Sequence, residues 1–282
     1  MSDLLIIILT VIAGFLTGIM SGMFGIGGAV ISTPTINWLG ATPLAAVAST
    51  LPAIIPGSIS GSLRYLREGL LNSRVIFWTA LTGIFASVGG ALLSGQIPGG
   101  GHVLMLMTAG LVAFGAIQLG RKPVSGEDGE AIVVEGATDA GPHVITATDL
   151  AATPRTDWWR MMLIGLAAGG LSGLLGVGGG LLMIPLFTRW LRLPLKMALG
   201  TSLACAGILA IPGTITYAII GQIDWLYALP LIVGIIPGAR VGAALTIRSS
   251  DHTLRLIVSI VLGIIAIIFA TSEIYSLIRD IS

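Results

Sequence analysis

The stretch Ser21-Gly22-Met23-Phe24-Gly25-Ile26-Gly27-Gly28 is followed by Pro34, and Ser172-Gly173-Leu174-Leu175-Gly176-Val177-Gly178-Gly179 is followed at the same interval by Pro185. A glycine cluster that recurs at a fixed distance from a proline marks a duplicated unit with a broken helix in each copy. The apolar runs on either side decide where those breaks lie. With 55% hydrophobic and only 10% charged residues, and a mean hydropathy of +0.99, the unit is built for lipid.

Composition also excludes several functions. A formal net charge of +1, with no Lys/Arg run interleaved with aromatics, offers nucleic acid neither a basic field nor a stacking platform. The single cysteine, Cys205, cannot form an intramolecular disulfide. The apolar start from Leu4 lacks a basic leader and a clear cleavage site, and reads as a retained membrane helix. No His/Cys/Asp/Glu cluster has metal-ligand spacing and no nucleophile has an identifiable base, so neither a metal, a cofactor nor a catalytic residue is expected. A nucleotide cradle is excluded by the lack of a Gly-Lys-Ser/Thr loop and of a strand with an acid about 20 residues on.

A spanning helix needs about 20 mostly apolar residues. Candidates are Leu4 to Phe24, Pro43 to Tyr65, Val75 to Ser94 and Val103 to Leu119, with a shorter Ala29 to Leu39 after the first glycine cluster. The order repeats as Trp158 to Leu175, a short Leu181 to Leu191, Leu195 to Ile219, Trp225 to Ile247 and Leu254 to Ile274. Ala48-Ser49-Thr50-Leu51 aligns with Gly200-Thr201-Ser202-Leu203, and Gly61 to Tyr65 with Gly213 to Tyr217. The expectation is an all-α polytopic membrane protein of two repeats, about five segments each, each repeat beginning with a glycine-broken helical hairpin. Residues 1–120 form the first repeat and 158–282 the second. Residues 121–157, polar and without apolar period, form a linker.

Loop charges orient the halves. Arg64, Arg67 and Arg74 follow the third segment, whereas Arg189, Arg192 and Lys196 precede its counterpart. By the positive-inside rule the two repeats are inverted, with the linker cytoplasmic and both termini external. Trp158, Trp159, Trp225 and Tyr227 stand at segment starts, where an interfacial aromatic belt is expected. The localisation this predicts is multi-pass in the cell membrane, with the lipid bilayer as partner; a homodimer is compatible with the sequence.

A helix broken at membrane depth must line a protein-walled or watery cavity. Gly25, Gly27 and Gly28, with Gly176, Gly178 and Gly179, allow a ligand to approach the backbone. The half-helix after each cluster would aim N–H groups and a positive dipole end at one point, a geometry that suits an anion. The alternative role for such glycines is close helix packing. Ser49 and Thr50, with Thr201 and Ser202, add a symmetric pair of hydroxyl clusters, although such hydroxyls often bond the carbonyl one turn back. Arg240 lies about 12 Å by helical rise from Arg248. It faces either a pathway or, by snorkelling, the membrane edge. Asp3, Glu68, Asp224 and Glu273 all lie near segment ends, leaving no mid-membrane carboxylate relay.

The paired Ser-Gly-x-x-Gly-[Ile/Val]-Gly-Gly motifs with their prolines, Gly200-Thr201-Ser202-Leu203, and Gly221-Gln222-Ile223-Asp224-Trp225 resemble the sulfite exporter TauE/SafE family of membrane permeases. The resemblance implies secondary transport of small sulfur-containing or related organic anions, such as sulfite, sulfonates or sulfoacetate. Alternating access around a site between the two hairpins is the corresponding mechanism. The first copy departs in Ala29, where the second has Gly180, and in Ala48-Ser49-Thr50 in place of Gly-Thr-Ser. The alternatives are a membrane-embedded structural or assembly subunit, and an anion channel without coupling.

Overall fold

The computed structural model describes residues 3–96, 102–120 and 158–249, together with the isolated positions 260, 263 and 264. The linker 121–157 and nearly all of the expected last segment, Leu254 to Ile274, lie outside the described residues. The described chain is helical: α1 (Asp3–Phe24), α2 (Ala29–Trp38), α3 (Pro43–Arg67), α4 (Ser73–Ser94), α5 (His102–Gly120), α6 (Trp158–Leu175), α7 (Gly180–Arg189), α8 (Leu195–Ile219) and α9 (Trp225–Arg248). Six of these, α1, α3, α4, α6, α8 and α9, are long and apolar enough to cross a membrane.

Local chemistry sets the starts. Thr42 accepts the amide of Ala45 (3.3 Å) just ahead of Pro43, the first residue of α3. Asn72 accepts from Val75 N (3.2 Å) to cap α4, and Asp224 accepts from Leu226 N (3.0 Å) to cap α9. Asn72 and Asp224 follow the equivalent helices α3 and α8, so the repeat extends to the caps.

The packing pairs are exchanged when the two halves are exchanged. α1 packs on α9 and α6 on α4, α3 packs on α9 and α8 on α4, and α3 and α8 pack on each other. Tyr65 Oη donates to the carbonyl of Gly22 (2.8 Å), and its counterpart Tyr217 Oη lies 2.9 Å from the carbonyl of Gly173 and 2.7 Å from Ser94 Oγ. Each tyrosine ties the end of a long central helix to the last turn before a glycine break.

Glycines set how closely the outer pairs approach. On α1, Gly14 and Gly18 face Gly234 and Gly238 of α9, Gly22 lies against Ala239 and Ala243, Gly242 lies against Ile19, and a Cβ at Gly14 would lie 2.7 Å from the carbonyl oxygen of Leu231. On α6, Gly165, Gly169 and Gly173 lie against the backbone of Thr79, Gly83 and Ser87 on α4. Between helices already surrounded by hydrocarbon, there is no hydrophobic gain in association, so backbone contact through small residues supplies the attraction. Close packing extends into the motif clusters: Gly22 and Gly173 continue these four-residue series, and a Cβ at Gly25, Gly176 or Gly179 would also lie within 3 Å of a neighbouring backbone carbonyl oxygen.

The outward surface is apolar. Leu5, Ile8, Ile12 and Phe15 on α1, Phe77, Leu81 and Phe85 on α4, and Leu226, Leu229 and Val233 on α9 are exposed at helical spacing. Water would not tolerate stripes of this extent, whereas lipid tails solvate them.

Candidate functional site

Both helix breaks are built on backbone that only glycine adopts without strain. α1 closes with Gly25 N donating to Ser21 O (2.8 Å), and α6 closes with Gly176 N donating to Ser172 O (2.9 Å). The chain then turns through left-handed backbone at Gly27 and Gly28 (φ 87° and 91°) and at Gly178 and Gly179 (φ 74° and 69°). An L side chain in that region costs about 1–3 kcal/mol unless its surroundings compensate. α2 and α7 begin directly afterwards, with Gly28 and Gly179 as their N-caps, and neither start has a side-chain cap. Ile31 N and Leu182 N reach back to the cap carbonyls of Gly28 and Gly179 (3.4 and 3.2 Å), so the first two amides of each short helix are left without an intrahelical acceptor at the positive end of its dipole.

The two breaks meet. A Cβ on Gly27 would sit 3.4 Å from the Cα of Gly178, and a Cβ on Gly178 would sit 3.4 Å from the Cα of Gly27; both would touch the Cβ of Ala206 on α8 at 3.4 Å. Gly180, at the start of α7, lies against Gly25 O and Ile26 Cα of the other break. All eight glycines of the two motif copies are buried.

Each break rests on the long helix of the opposite half. Ser202 Oγ of α8 is within hydrogen-bonding distance of Gly25 O (3.1 Å) and of Leu199 O (3.0 Å). Gly176 packs on α3, where an added Cβ would be 2.8 Å from Val47 O and 3.3 Å from Thr50 Oγ1, and Thr50 donates to Val47 O (2.8 Å). Thr50 and Ser202 therefore stand beside the breaks, while each also bonds the carbonyl three residues back. The other two hydroxyls brace helix starts across the halves: Ser49 Oγ accepts from Asp224 N (2.9 Å) and Thr201 Oγ1 accepts from Asn72 N (3.1 Å). All four are fully buried.

Arg240 is not brought to this centre. Its side chain is exposed on α9, on the outward stripe with Val233, Ile236 and Pro237, while Gly234, Gly238 and Gly242 form the stripe that meets α1. That is the orientation in which its long stem can snorkel.

Two further buried hydroxyls lie on the helices flanking the first break, Thr17 on α1 and Thr33 on α2. Thr17 and Thr33 are fully buried, and neither Oγ1 has a hydrogen-bond partner among the described residues. Thr17 is close to Gly28, with its Cγ2 2.8 Å from where a Cβ on that glycine would be. A buried hydroxyl without a partner costs about 1–3 kcal/mol, so such groups merit a functional explanation. Only Thr17 carries a sequence signal, a threonine one turn ahead of Ser21 where the second copy has Ala168 one turn ahead of Ser172.

Fold and centre together define a multi-pass α-helical membrane protein organised around paired helix breaks. Residues 10–269 match the family model for the sulfite exporter TauE/SafE, and the chain belongs to that family of membrane transporters. It is 26% identical over 271 residues to the probable membrane transporter protein YunE of Bacillus subtilis, covering 92% of this chain and 95% of that one. A probable membrane transporter protein of Xylella fastidiosa is 27% identical over 267 residues, covering 93% and 94%, and YdhB of Bacillus subtilis, likewise named a probable membrane transporter protein, is 29% identical over 242 residues, covering 84% and 89%. No solved structure matches the chain significantly.

Proposed function

We propose that this transporter moves small sulfur-containing or related organic anions, such as sulfite and sulfonates, by alternating access around the contact between the two glycine breaks. The observation that carries the reading is the meeting of Gly27 and Gly178, which brings two uncapped helix starts to one buried point. A sulfite or sulfonate placed between them would receive backbone N–H groups and two positive dipole ends, without needing a buried cation. The unpartnered hydroxyl of Thr17, beside Gly28, can donate to its oxygens, whereas Thr50 and Ser202, beside Gly176 and Gly25, would do so only by releasing the backbone carbonyls to which they now donate. Ser49 and Thr201 act from behind, holding the starts of α9 and α4 in place.

The site is buried in the described state, so passage requires each break to part from its neighbours towards one side at a time. Inverted repeats supply two related ways to do this: what one half does towards the cytoplasm, the other does towards the exterior. The repeated packing pairs and the reversed arginine placement support this topology, with a cytoplasmic linker and external termini. Single cysteines introduced into the linker of a Cys205→Ser background should react with impermeant maleimide only after the membrane is opened. Labelling from outside in intact cells would overturn the inversion.

Flux in proteoliposomes tests the activity itself. Uptake of radiolabelled sulfite or a short alkyl sulfonate should saturate and should be accelerated by unlabelled substrate on the opposite side. An uncoupled channel would show no such acceleration, and a structural subunit no flux. In the same assay Arg240→Gln should leave the apparent affinity within about twofold of the parent, because the removed guanidinium lies on the outward face of α9. A loss of affinity in the folded variant would return Arg240 to the pathway.

A further inference from the structure

A basic pocket lies away from the helix breaks. It encloses about 300 Å³ between the start of α6 and the segment following α7, and it is lined by Trp159, Arg160, Arg189, Trp190 and Arg192. Among the described residues that line it are three arginines and two tryptophans, and no acidic residue. Arg160 is held in place from two sides: its Nη1 is 3.4 Å from the carbonyl of Trp190 and its guanidinium lies 5.4 Å from the centre of the Trp159 ring. Arg192 has φ 52°, the sole positive φ at a described non-glycine residue. An arginine in left-handed backbone is an unfavourable choice for a turn, and here that turn brings a third guanidinium to the pocket.

The surroundings separate a lipid from a soluble anion. Trp159 and Trp190 are half-exposed, as interfacial indoles are. From Trp159 an exposed apolar stripe descends α6 through Leu163 and Leu166, at spacings of four and three residues. A phosphate in the pocket would thus have an acyl track directly beneath it. We propose that the pocket binds the phosphate headgroup of an anionic phospholipid, with the guanidiniums on the phosphate oxygens and an acyl chain along Leu163 and Leu166. Arginine suits this task because its planar fork pairs with two phosphate oxygens at once, and basic pockets between membrane helices are the expected recognition element for such headgroups. The site is independent of the transport reading.

Native mass spectrometry of the full-length protein in detergent, titrated with phosphatidylglycerol or phosphatidylcholine of matched chains, tests the proposal. Phosphatidylglycerol should bind in clear preference, and Arg189→Gln with Arg192→Gln should weaken it by about 25-fold, roughly fivefold for each guanidinium, with phosphatidylcholine unaffected. Lysine at both positions should restore only part of the binding, because an ammonium supplies the charge without the bidentate fork. Arg192→Gly keeps the experiment decisive if the double variant folds poorly, because glycine suits φ 52° and the expected loss is still about fivefold. Equal binding of the two lipids, or unchanged phosphatidylglycerol binding in folded Arg192→Gly, would overturn the proposal. Displacement of phosphatidylglycerol by millimolar inorganic phosphate would overturn the lipid assignment and give the pocket to a soluble anion.

Discussion

Gly27→Leu and Gly178→Leu should each lower substrate flux at least about 100-fold, while leaving most of the protein inserted in the membrane. Each glycine is left-handed, and a Cβ on either would already lie within 3.5 Å of the opposite break and of Ala206. The three further carbons of leucine would fill the space in which the proposed anion approaches backbone amides. A 100-fold loss corresponds to about 2.7 kcal/mol. Alanine provides the graded comparison. Its Cβ has contacts at 3.2–3.4 Å from Gly27 and 3.4–3.5 Å from Gly178, so it meets mainly the backbone penalty and should retain more flux than leucine. Flux unchanged in both folded leucine variants would remove the breaks from the transport path.

Gly169→Ala and Gly170→Ala are the same change at adjacent positions and should have opposite outcomes. A Cβ on Gly169 would run into the backbone of α4, reaching 2.6 Å from Gly83 Cα and 2.7 Å from its carbonyl carbon, whereas a Cβ on Gly170 has nothing within 4 Å. Relieving the first clash requires α6 and α4 to separate. The cost is about 3 kcal/mol, at the upper end for overpacking, and should lower the apparent melting temperature in detergent by about 10 °C. Gly170→Ala should be neutral or slightly stabilising, since alanine is the better helix former. Equal melting temperatures for the two variants would mean that α4 and α6 do not pack through Gly169.

These adjacent glycines show where the sequence stops being informative. Both are small residues in an apolar helix; the four-residue spacing of Gly165, Gly169 and Gly173 marks a stripe that leaves out Gly170, but which helix meets that stripe depends on how α6 is placed. Arg240 is the same case, since its depth along α9 could be counted from Arg248 while its side of the helix could not. Ser49 and Thr201 were recognisable as an equivalent pair, but their partners, Asp224 N and Asn72 N, lie 175 and 129 residues away. That the hydroxyls of Thr17 and Thr33 are buried without a partner among the described residues is decided only by the helices that enclose them.

The sequence by itself determined that this chain is a helical membrane protein, duplicated, with a glycine break in each half. Those properties follow from local quantities: the length of apolar runs against bilayer thickness, the backbone freedom of glycine and the spacing of a repeated motif. Only the tertiary structure decided that the breaks touch each other, that each rests on the opposite half, and that Arg240 faces outward while Arg160, Arg189 and Arg192 share one pocket. Contacts between residues far apart in the chain depend on how helices rotate and approach one another. In lipid that is set by close packing of small surfaces, because hydrophobicity no longer distinguishes one face of a helix from another.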